Sequence, residues 1–238
     1  MQYALDWSLN TGMVTIGKRL GDGDLNRKSR DIIYDYFNNR FRLGKPTGIE
    51  LAGETSGSII SPDSVQGNAV RYATMTFGQG MSATMLQVSA GFSAAINGGV
   101  FHQPSVVAGE INDNGDFKPS ENTKTYPVIS KKASETTREM INHAHYATYK
   151  PTKEREGYYI GGKTGTSQTI DASGKYTNDE TVATFLGFGG EKGETPKYVI
   201  MVRVAGDDMV LGGGTDAKPI FNDMSNWMVD YLKLQPKG

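Results

Sequence analysis

The spacing of apolar residues along the chain predicts three amphipathic helices. Thr84 followed by Gln87 is a capping-box pattern, and the segment after Thr84, Met85–Ile96, has apolar residues at helical spacing before an Asn-Gly-Gly stop. A second helix is predicted over residues 131–149, and a third begins at Pro219, which suits a first turn. The predicted apolar faces consist of Ala133, Thr137, Met140, Ile141, Ala144 and Thr148 in the second helix, and of Ile220, Met224, Trp227, Met228 and Tyr231 in the third.

Apolar and alternating runs predict strands between these helices. The four predicted strands cover residues 105–111, 158–168, 181–188 and 197–205. Asp-Asn-Gly-Asp at residues 113–116 predicts a hairpin turn, and the short polar loop 189–196 favours antiparallel pairing of the last two strands. The C-terminal part therefore runs helix, three strands, helix, which predicts an α+β fold with an antiparallel sheet flanked by helices.

Composition excludes several classes of function. The 238 residues amount to one large domain or two small ones. With a net charge of −1, the chain lacks the basic field that attracts nucleic acids or anionic membranes, and without cysteine it has neither disulfides nor thiol chemistry. No apolar run is long enough to span a membrane, and no secretory signal is visible. Many of the 30 glycines lie in short clusters typical of turns.

The densest candidate chemistry is the sequence Gly-Gly-Lys-Thr-Gly-Thr-Ser at residues 161–167. Lys163 supplies a cation, the Thr166 hydroxyl can donate a hydrogen bond, and Gly165 has no side chain to block a ligand that approaches the backbone. Such a strand can hold a carboxylate and a developing oxyanion. An edge strand with a surface lysine explains the same residues equally well. A phosphate-binding loop is not expected here.

Other polar residues are weak signals when taken alone. Ser8 and Asn10 lie where helix caps usually lie, so a Ser-x-Asn pattern by itself indicates little. His143 and His145 are two residues apart on a predicted helix, where their rings point in different directions, so no metal site is expected.

Taken in order, these pieces resemble a known family. Ser8-Leu9-Asn10 and Lys163-Thr164-Gly165 are similar to the second and third of the three motifs of penicillin-binding proteins and serine β-lactamases. Their separation of 155 residues looks like that of the class B transpeptidases. Further segments resemble the same class in the same order: residues 47–54, 76–81, 83–87, 94–99, 185–188 and 212–221. The resemblance implies the penicillin-binding protein fold, over most of the chain.

The resemblance also implies an activity. In that family a serine attacks the D-Ala-D-Ala bond of a peptidoglycan stem peptide to form an acyl-enzyme, an amine of a neighbouring stem takes the acyl group, and β-lactams mimic the donor. By this resemblance Ser8 relays protons, Asn10 positions the substrate amide and Lys163 supports the Ser8 hydroxyl. Thr164, Gly165 and Thr166 bind substrate, with Thr166 holding the carboxylate and giving one N–H to the oxyanion hole. No cofactor or metal is implied.

The family's first motif, Ser-x-x-Lys, is absent, because no serine in the chain is followed by lysine three residues later. We therefore expect residues 1–238 to be a partial transpeptidase domain whose N-terminal part, with nucleophile and base, lies outside this sequence. Such a chain is expected to be inactive alone, and either marginally stable or dependent on a partner. Two other interpretations stay open: a non-catalytic peptidoglycan- or β-lactam-binding module, and a penicillin sensor or β-lactamase relative.

The expected partners follow from the same resemblance. They are peptidoglycan stem peptides, β-lactams and a glycan polymerase of the divisome or elongasome. The expected location is the outer face of the cytoplasmic membrane in the bacterial envelope, through an anchor that is not in this sequence.

Overall fold

A computed structural model describes residues 1–120, 124–147, 155–170 and 176–237. Its helices are α1 (Gln2–Asp6), α2 (Asn10–Arg19), α3 (Arg27–Tyr34), α4 (Ala69–Met75), α5 (Met85–Ile96), α6 (Lys131–Ala147) and α7 (Lys218–Tyr231), with π-helical turns at Asp35–Arg40 and Gly213–Ala217. The strands are β1 (Val100–His102), β2 (Gly109–Ile111), β3 (Phe117–Pro119), β4 (Thr125–Pro127), β5 (Tyr158–Ile170), β6 (Tyr176–Glu191) and β7 (Tyr198–Val204). The chain forms two compact units, one of residues Met1–Leu9 and Glu135–Gly238, the other of Asn10–Ser134.

The first unit is built on a three-stranded antiparallel sheet in the order β5-β6-β7. Helix α7 packs on this sheet through Phe221, whose ring lies 4.6 Å from that of Phe185 on β6. The ring of Phe188 occupies the space beside Gly161, where an added Cβ would lie 2.5 Å from it. Glycine in β5 therefore makes room for the aromatic core. The antiparallel sheet with packed helices confirms the predicted α+β arrangement.

The second unit is organised around α5, whose predicted capping box is present with both of its hydrogen bonds. The Gln87 side chain of this box is buried and also binds the neighbouring loop: its Nε2 donates to Lys45 O at 2.7 Å and to Ser56 O at 2.8 Å. One residue thus caps the helix and fixes the loop beside it. Apolar residues around Tyr72 and Met75, both fully buried, form the core of this unit.

The strand predicted over residues 105–111 is too long, since only Gly109–Ile111 forms a strand. The preceding backbone donors bind side chains instead of a neighbouring strand: Val106 N donates to Glu50 Oε2 and Val107 N donates to Ser105 Oγ. The predicted hairpin turn is confirmed, because β2 and β3 pair across it.

The apolar face predicted for α7 is wrong for four of its five residues. Ile220, Met224, Trp227 and Tyr231 are 43%, 46%, 59% and 66% exposed. Met228, the fifth predicted residue, packs partly buried against the core, and the buried residues of the helix are Lys218, Phe221, Asn222, Ser225 and Val229. Ser225 fits there because its hydroxyl lies 2.7 Å from the buried Tyr198 hydroxyl on β7. Burial of one large ring and of this polar pair decides which side of α7 faces inward.

On α6, Ile141 and Ala144 are buried as predicted, whereas Ala133 is exposed. The buried residues Ser134 and His145 were not predicted for this face. The predicted end of this helix at residues 148–149 lies outside the described residues. Among the residues that the structure describes, none of the helices has the length and hydropathy needed to cross a membrane.

Candidate active site

Four of the predicted site residues lie in the middle of β5. Lys163, Thr164, Gly165 and Thr166 pair with residues 183–186 of β6, so the backbone of the motif is held by the sheet. Among the described residues, β5 has a strand partner on one side only. Its other edge can therefore accept an extended peptide.

Ser8 meets Lys163 although 155 residues separate them in the chain. The Lys163 ammonium lies 2.9 Å from Ser8 Oγ and 3.3 Å from both the carbonyl and the hydroxyl oxygen of Thr164. Ser8 lies in the turn after α1, with a φ of 53° that non-glycine residues rarely adopt. Its backbone N–H donates to Leu5 O, which fixes the turn and directs the hydroxyl toward the lysine.

The pKa of the Lys163 ammonium is lowered in this site. Burial lowers the pKa of this ammonium, and the negative charge of Asp6 acts in the opposite direction and raises it. A lysine whose pKa is lowered exchanges its proton more readily with a hydroxyl in hydrogen-bond contact. The arrangement of Lys163 and Ser8 can therefore pass a proton between nitrogen and oxygen.

Thr166 presents its hydroxyl at an exposed position of β5. Its Oγ1 accepts a hydrogen bond from the backbone N–H of Gly213 at 3.2 Å, which leaves the hydroxyl proton free to be donated to a ligand oxygen. A Cβ at Gly213 would lie 2.6 Å from the carbonyl oxygen of Gly165, so only glycine lets these two segments approach. A side chain at Gly165 would collide with the Thr184 hydroxyl. Packing within the unit thus adds a second reason for glycine at this position.

Asn10 is exposed at the start of α2 and belongs to the second unit. Its role stays a prediction. Ser8, Lys163 and Thr164 are the predicted residues that direct hydrogen bonds join.

Residues 157–164 match the spacing of a phosphate-binding loop, Gly-x-x-x-x-Gly-Lys-Thr, so spacing gives no reason to exclude one. The fold does. Such a motif needs a loop that leads into a helix, whereas Lys163 lies inside the continuous strand β5.

A cluster of polar residues close to Ser8 in the chain is not predicted by any motif. Gln2 Nε2 donates to Asp6 Oδ1 at 2.6 Å and to the Met140 carbonyl at 3.0 Å, and His143 Nδ1 lies 3.2 Å from the same Asp6 oxygen. The one sequence signal is the spacing of Gln2 and Asp6, four residues apart on a helix. Contact with α6 depends on tertiary structure, which sequence spacing does not reveal.

The family model for the penicillin-binding protein transpeptidase domain matches residues 1–226, which include the second unit and most of the first. The chain belongs to the penicillin-binding protein transpeptidase family. The resemblance to class B penicillin-binding proteins inferred from the motifs is confirmed by relatives across nearly the whole sequence. The Ser-x-x-Lys motif is nevertheless absent from these 238 residues.

Two relatives and one solved structure illustrate the family relationship. Stage V sporulation protein D of Bacillus subtilis is 33% identical over 97% of this chain and 34% of its own length. Peptidoglycan D,D-transpeptidase FtsI of Buchnera aphidicola is 27% identical over 83% of this chain and 33% of its own length. The crystal structure of penicillin-binding protein 3 of Mycobacterium tuberculosis with ampicillin has a TM-score of 0.83, 25% identity, and coverage of 100% of this chain and 52% of that one. This transpeptidase-family chain thus spans about a third of the length of these two relatives.

Proposed function

We propose that this chain supplies the proton-relay and carboxylate-binding side of a peptidoglycan D,D-transpeptidase, which cross-links stem peptides through a serine acyl-enzyme and binds β-lactams. The observation that carries the proposal is the 2.9 Å contact between Lys163 Nζ and Ser8 Oγ, on a strand that pairs on one side only among the described residues. It joins two motifs that are far apart in sequence but belong to one reaction in the family.

Substrate recognition in this proposal takes place along β5. A D-Ala-D-Ala end is extended and carries a carboxylate, which suits an open strand edge with a hydroxyl donor. The Thr166 hydroxyl donates to the substrate or β-lactam carboxylate, and the Thr166 N–H supplies one donor of the oxyanion hole. Thr164 has a modified role: its hydroxyl contacts Lys163, so it supports the ammonium more than it touches substrate.

Proton transfer in this proposal uses Ser8 and Lys163. When the acyl group passes to the nucleophilic serine, the departing D-Ala amine must gain a proton. The Ser8 hydroxyl gives up its proton to that amine and takes another from the Lys163 ammonium. Asn10 positions the substrate amide. No step calls for a metal or an organic cofactor.

The nucleophile, its base lysine and the second oxyanion donor come from residues outside this sequence in our proposal. The support is the absence of Ser-x-x-Lys from the 238 residues. The intact protein would act at the outer face of the cytoplasmic membrane, held by an anchor, on peptidoglycan strands that a glycan polymerase of the divisome or elongasome supplies.

The same absence favours a second candidate, a non-catalytic module that binds peptidoglycan or β-lactams through β5. Fluorescent penicillin distinguishes the two. The proposal predicts that the intact protein is labelled covalently, in a form that survives a denaturing gel, and that the 238-residue chain alone is not labelled. Failure of the intact protein to label, with reversible binding retained, would instead establish the binding module.

A further inference from the structure

The segment that connects β7 to α7 lies against the middle of β5. A Cβ at Gly213 would lie 2.6 Å from the Gly165 carbonyl oxygen and 2.7 Å from that of Thr184, so this segment contacts the backbone of β5 and of β6. The Gly213 N–H donates to Thr166 Oγ1 at 3.2 Å. The direction of this N–H therefore affects how the Thr166 hydroxyl is held.

The first part of this segment is attached to β6 through a buried threonine. Thr181 Oγ1 accepts a hydrogen bond from Leu211 N at 2.7 Å and donates to Leu211 O at 2.8 Å, and Thr181 N donates to Met209 O at 3.0 Å. Thr181 and Leu211 are both buried, so water does not compete for these bonds. The residues after Leu211 therefore start from a fixed point.

Asp216 closes the turn that follows. Its Oδ2 accepts hydrogen bonds from Gly212 N and from the Thr215 hydroxyl, each at 2.7 Å, and its own backbone N–H donates to Gly212 O at 2.9 Å. The Thr215 hydroxyl and the Gly212 N–H lower the pKa of Asp216, which is therefore a carboxylate at neutral pH. Asp216 thus holds both polar backbone atoms of Gly212.

The hold on Gly212 extends to Thr166 through one peptide group. The carbonyl of Gly212 and the N–H of Gly213 belong to the same planar peptide group and point in opposite directions. The carbonyl accepts from Asp216 N, and the N–H donates to Thr166 Oγ1. Because a hydroxyl has a single proton, an oxygen that accepts on this side has its proton available on another side.

We propose that Asp216 is a positioning residue for carboxylate recognition: it closes the turn at Gly212, aims the Gly213 N–H at Thr166 Oγ1, and so directs the Thr166 hydroxyl proton toward the ligand carboxylate. The inference rests on the proposed function, in which Thr166 donates to that carboxylate. The Lys-Thr-Gly motif lies in β5 and does not include this acid.

Substitutions of Asp216 separate its hydrogen bonds from its charge. Asp216→Ala removes both acceptor oxygens, whereas Asp216→Asn removes the charge and keeps one acceptor oxygen. Asp223→Ala is the matched control, because it removes an equal charge from an exposed position on α7 in the same unit. Asp216→Val is a second variant without an acceptor and replaces the alanine variant if that protein does not fold.

The first measurement is acylation of the intact protein by penicillin at a series of concentrations, which gives a half-saturating concentration and a limiting rate. We expect Asp216→Ala to raise the half-saturating concentration about 3- to 10-fold, the cost of one hydrogen bond, and to leave the limiting rate unchanged. Asp216→Asn should recover most of this loss, and Asp223→Ala should cause none. In a protein that already carries Thr166→Val, Asp216→Ala should add no further loss, because both changes act on one contact.

The second measurement, hydrogen exchange of the Gly213 amide resolved by mass spectrometry, does not depend on activity. Its protection should be lost in Asp216→Ala and kept in Asp216→Asn and Asp223→Ala. Unchanged protection or an unchanged half-saturating concentration in Asp216→Ala would overturn the inference, and so would losses that multiply fully in the double variant.

Failure of the proposed function gives a different result. If Thr166→Val leaves the half-saturating concentration unchanged, the proposed carboxylate contact is wrong and the inference falls with it. If the intact protein is not acylated, the proposed catalysis is wrong, and the same comparison of variants is made on reversible binding of penicillin, where the same ratios are expected.

Discussion

The Lys163 ammonium contacts three oxygen atoms: Ser8 Oγ, the Thr164 hydroxyl oxygen and the Thr164 carbonyl oxygen. Hydrogen bonds to a charged donor are stronger than neutral ones, and partial burial strengthens them further. The residue therefore organises its surroundings as well as carrying a proton. An arginine would retain the charge at this position but is too weak an acid to exchange its proton.

Replacement of Thr166 tests carboxylate recognition at the residue scale. Thr166→Val keeps the shape of the side chain and removes the hydroxyl, so we expect β-lactam affinity of the intact protein to fall about 10- to 100-fold, the cost of one hydrogen bond to a charged group. Thr166→Ser should retain most of the affinity. The measurement is the concentration dependence of the acylation rate. Equal affinity in the valine and serine variants would exclude the proposed contact.

The motif residues could be proposed from sequence because their types and their order resemble those of a known family. What brings Ser8 to Lys163 could not, because that contact depends on the docking of α1 through Gln2 and Asp6. Gly165 shows a further limit: a side chain there would meet the Thr184 hydroxyl of the next strand, and no local pattern marks such a neighbour.

At the scale of elements, β5 and β6 are locked together by aromatic rings packed beside glycines. Gly161→Ala would place a methyl group 2.5 Å from the Phe188 ring, an overpacking that should destabilise the first unit by about 1–3 kcal/mol. Chemical denaturation measures this loss. Combination with Phe188→Leu should recover part of it, because the smaller side chain vacates the space. If Gly161→Ala costs nothing, the proposed role of glycine in this packing is wrong.

The loop at residues 47–54 is closed by a carboxylate. Glu54 accepts hydrogen bonds from Thr47 N at 2.6 Å and from the Thr47 hydroxyl, and these contacts lower its pKa. Because its pKa is lowered in the folded state, the Glu54 carboxylate stabilises the second unit at pH values above 4.5, the ordinary pKa of this group. This contribution is lost as the pH falls through the lowered pKa. Glu54→Gln should thus destabilise the unit at neutral pH and make little difference in acid. Thermal melts at both pH values check this, and an equal loss at both would contradict it.

Elements with a strong local signal were predicted well, and elements shaped by distant partners were not. The capping box of α5 lies within four residues and was found. The buried side of α7 could not be predicted, because large apolar residues lie on two sides of this helix. Spacing alone does not show that Phe221 is buried while Trp227 and Tyr231 are exposed. The short β2 reflects Glu50, a residue far back in the chain that binds the backbone of Val106.

At the scale of the whole molecule, the exposed stripe on α7 affects behaviour in solution. Trp227 and Tyr231 stack with ring centroids 4.7 Å apart and are 59% and 66% exposed. Contiguous exposed apolar surface promotes association. Trp227→Gln should therefore reduce binding of a hydrophobic dye and self-association of this chain, with little change in its melting temperature. A large drop in melting temperature would mean that Trp227 belongs to the core.

The central claim is that Ser8 and Lys163 act as one proton relay, and the acylation rate of the intact protein by fluorescent penicillin tests it most directly. The account predicts that Ser8→Ala and Lys163→Gln each slow acylation by about 100-fold or more, as loss of a proton-transfer group does. The double variant should be little slower than either, because both changes interrupt the same transfer. Acylation at the unaltered rate in either single variant, or fully multiplicative losses in the double variant, would contradict the relay.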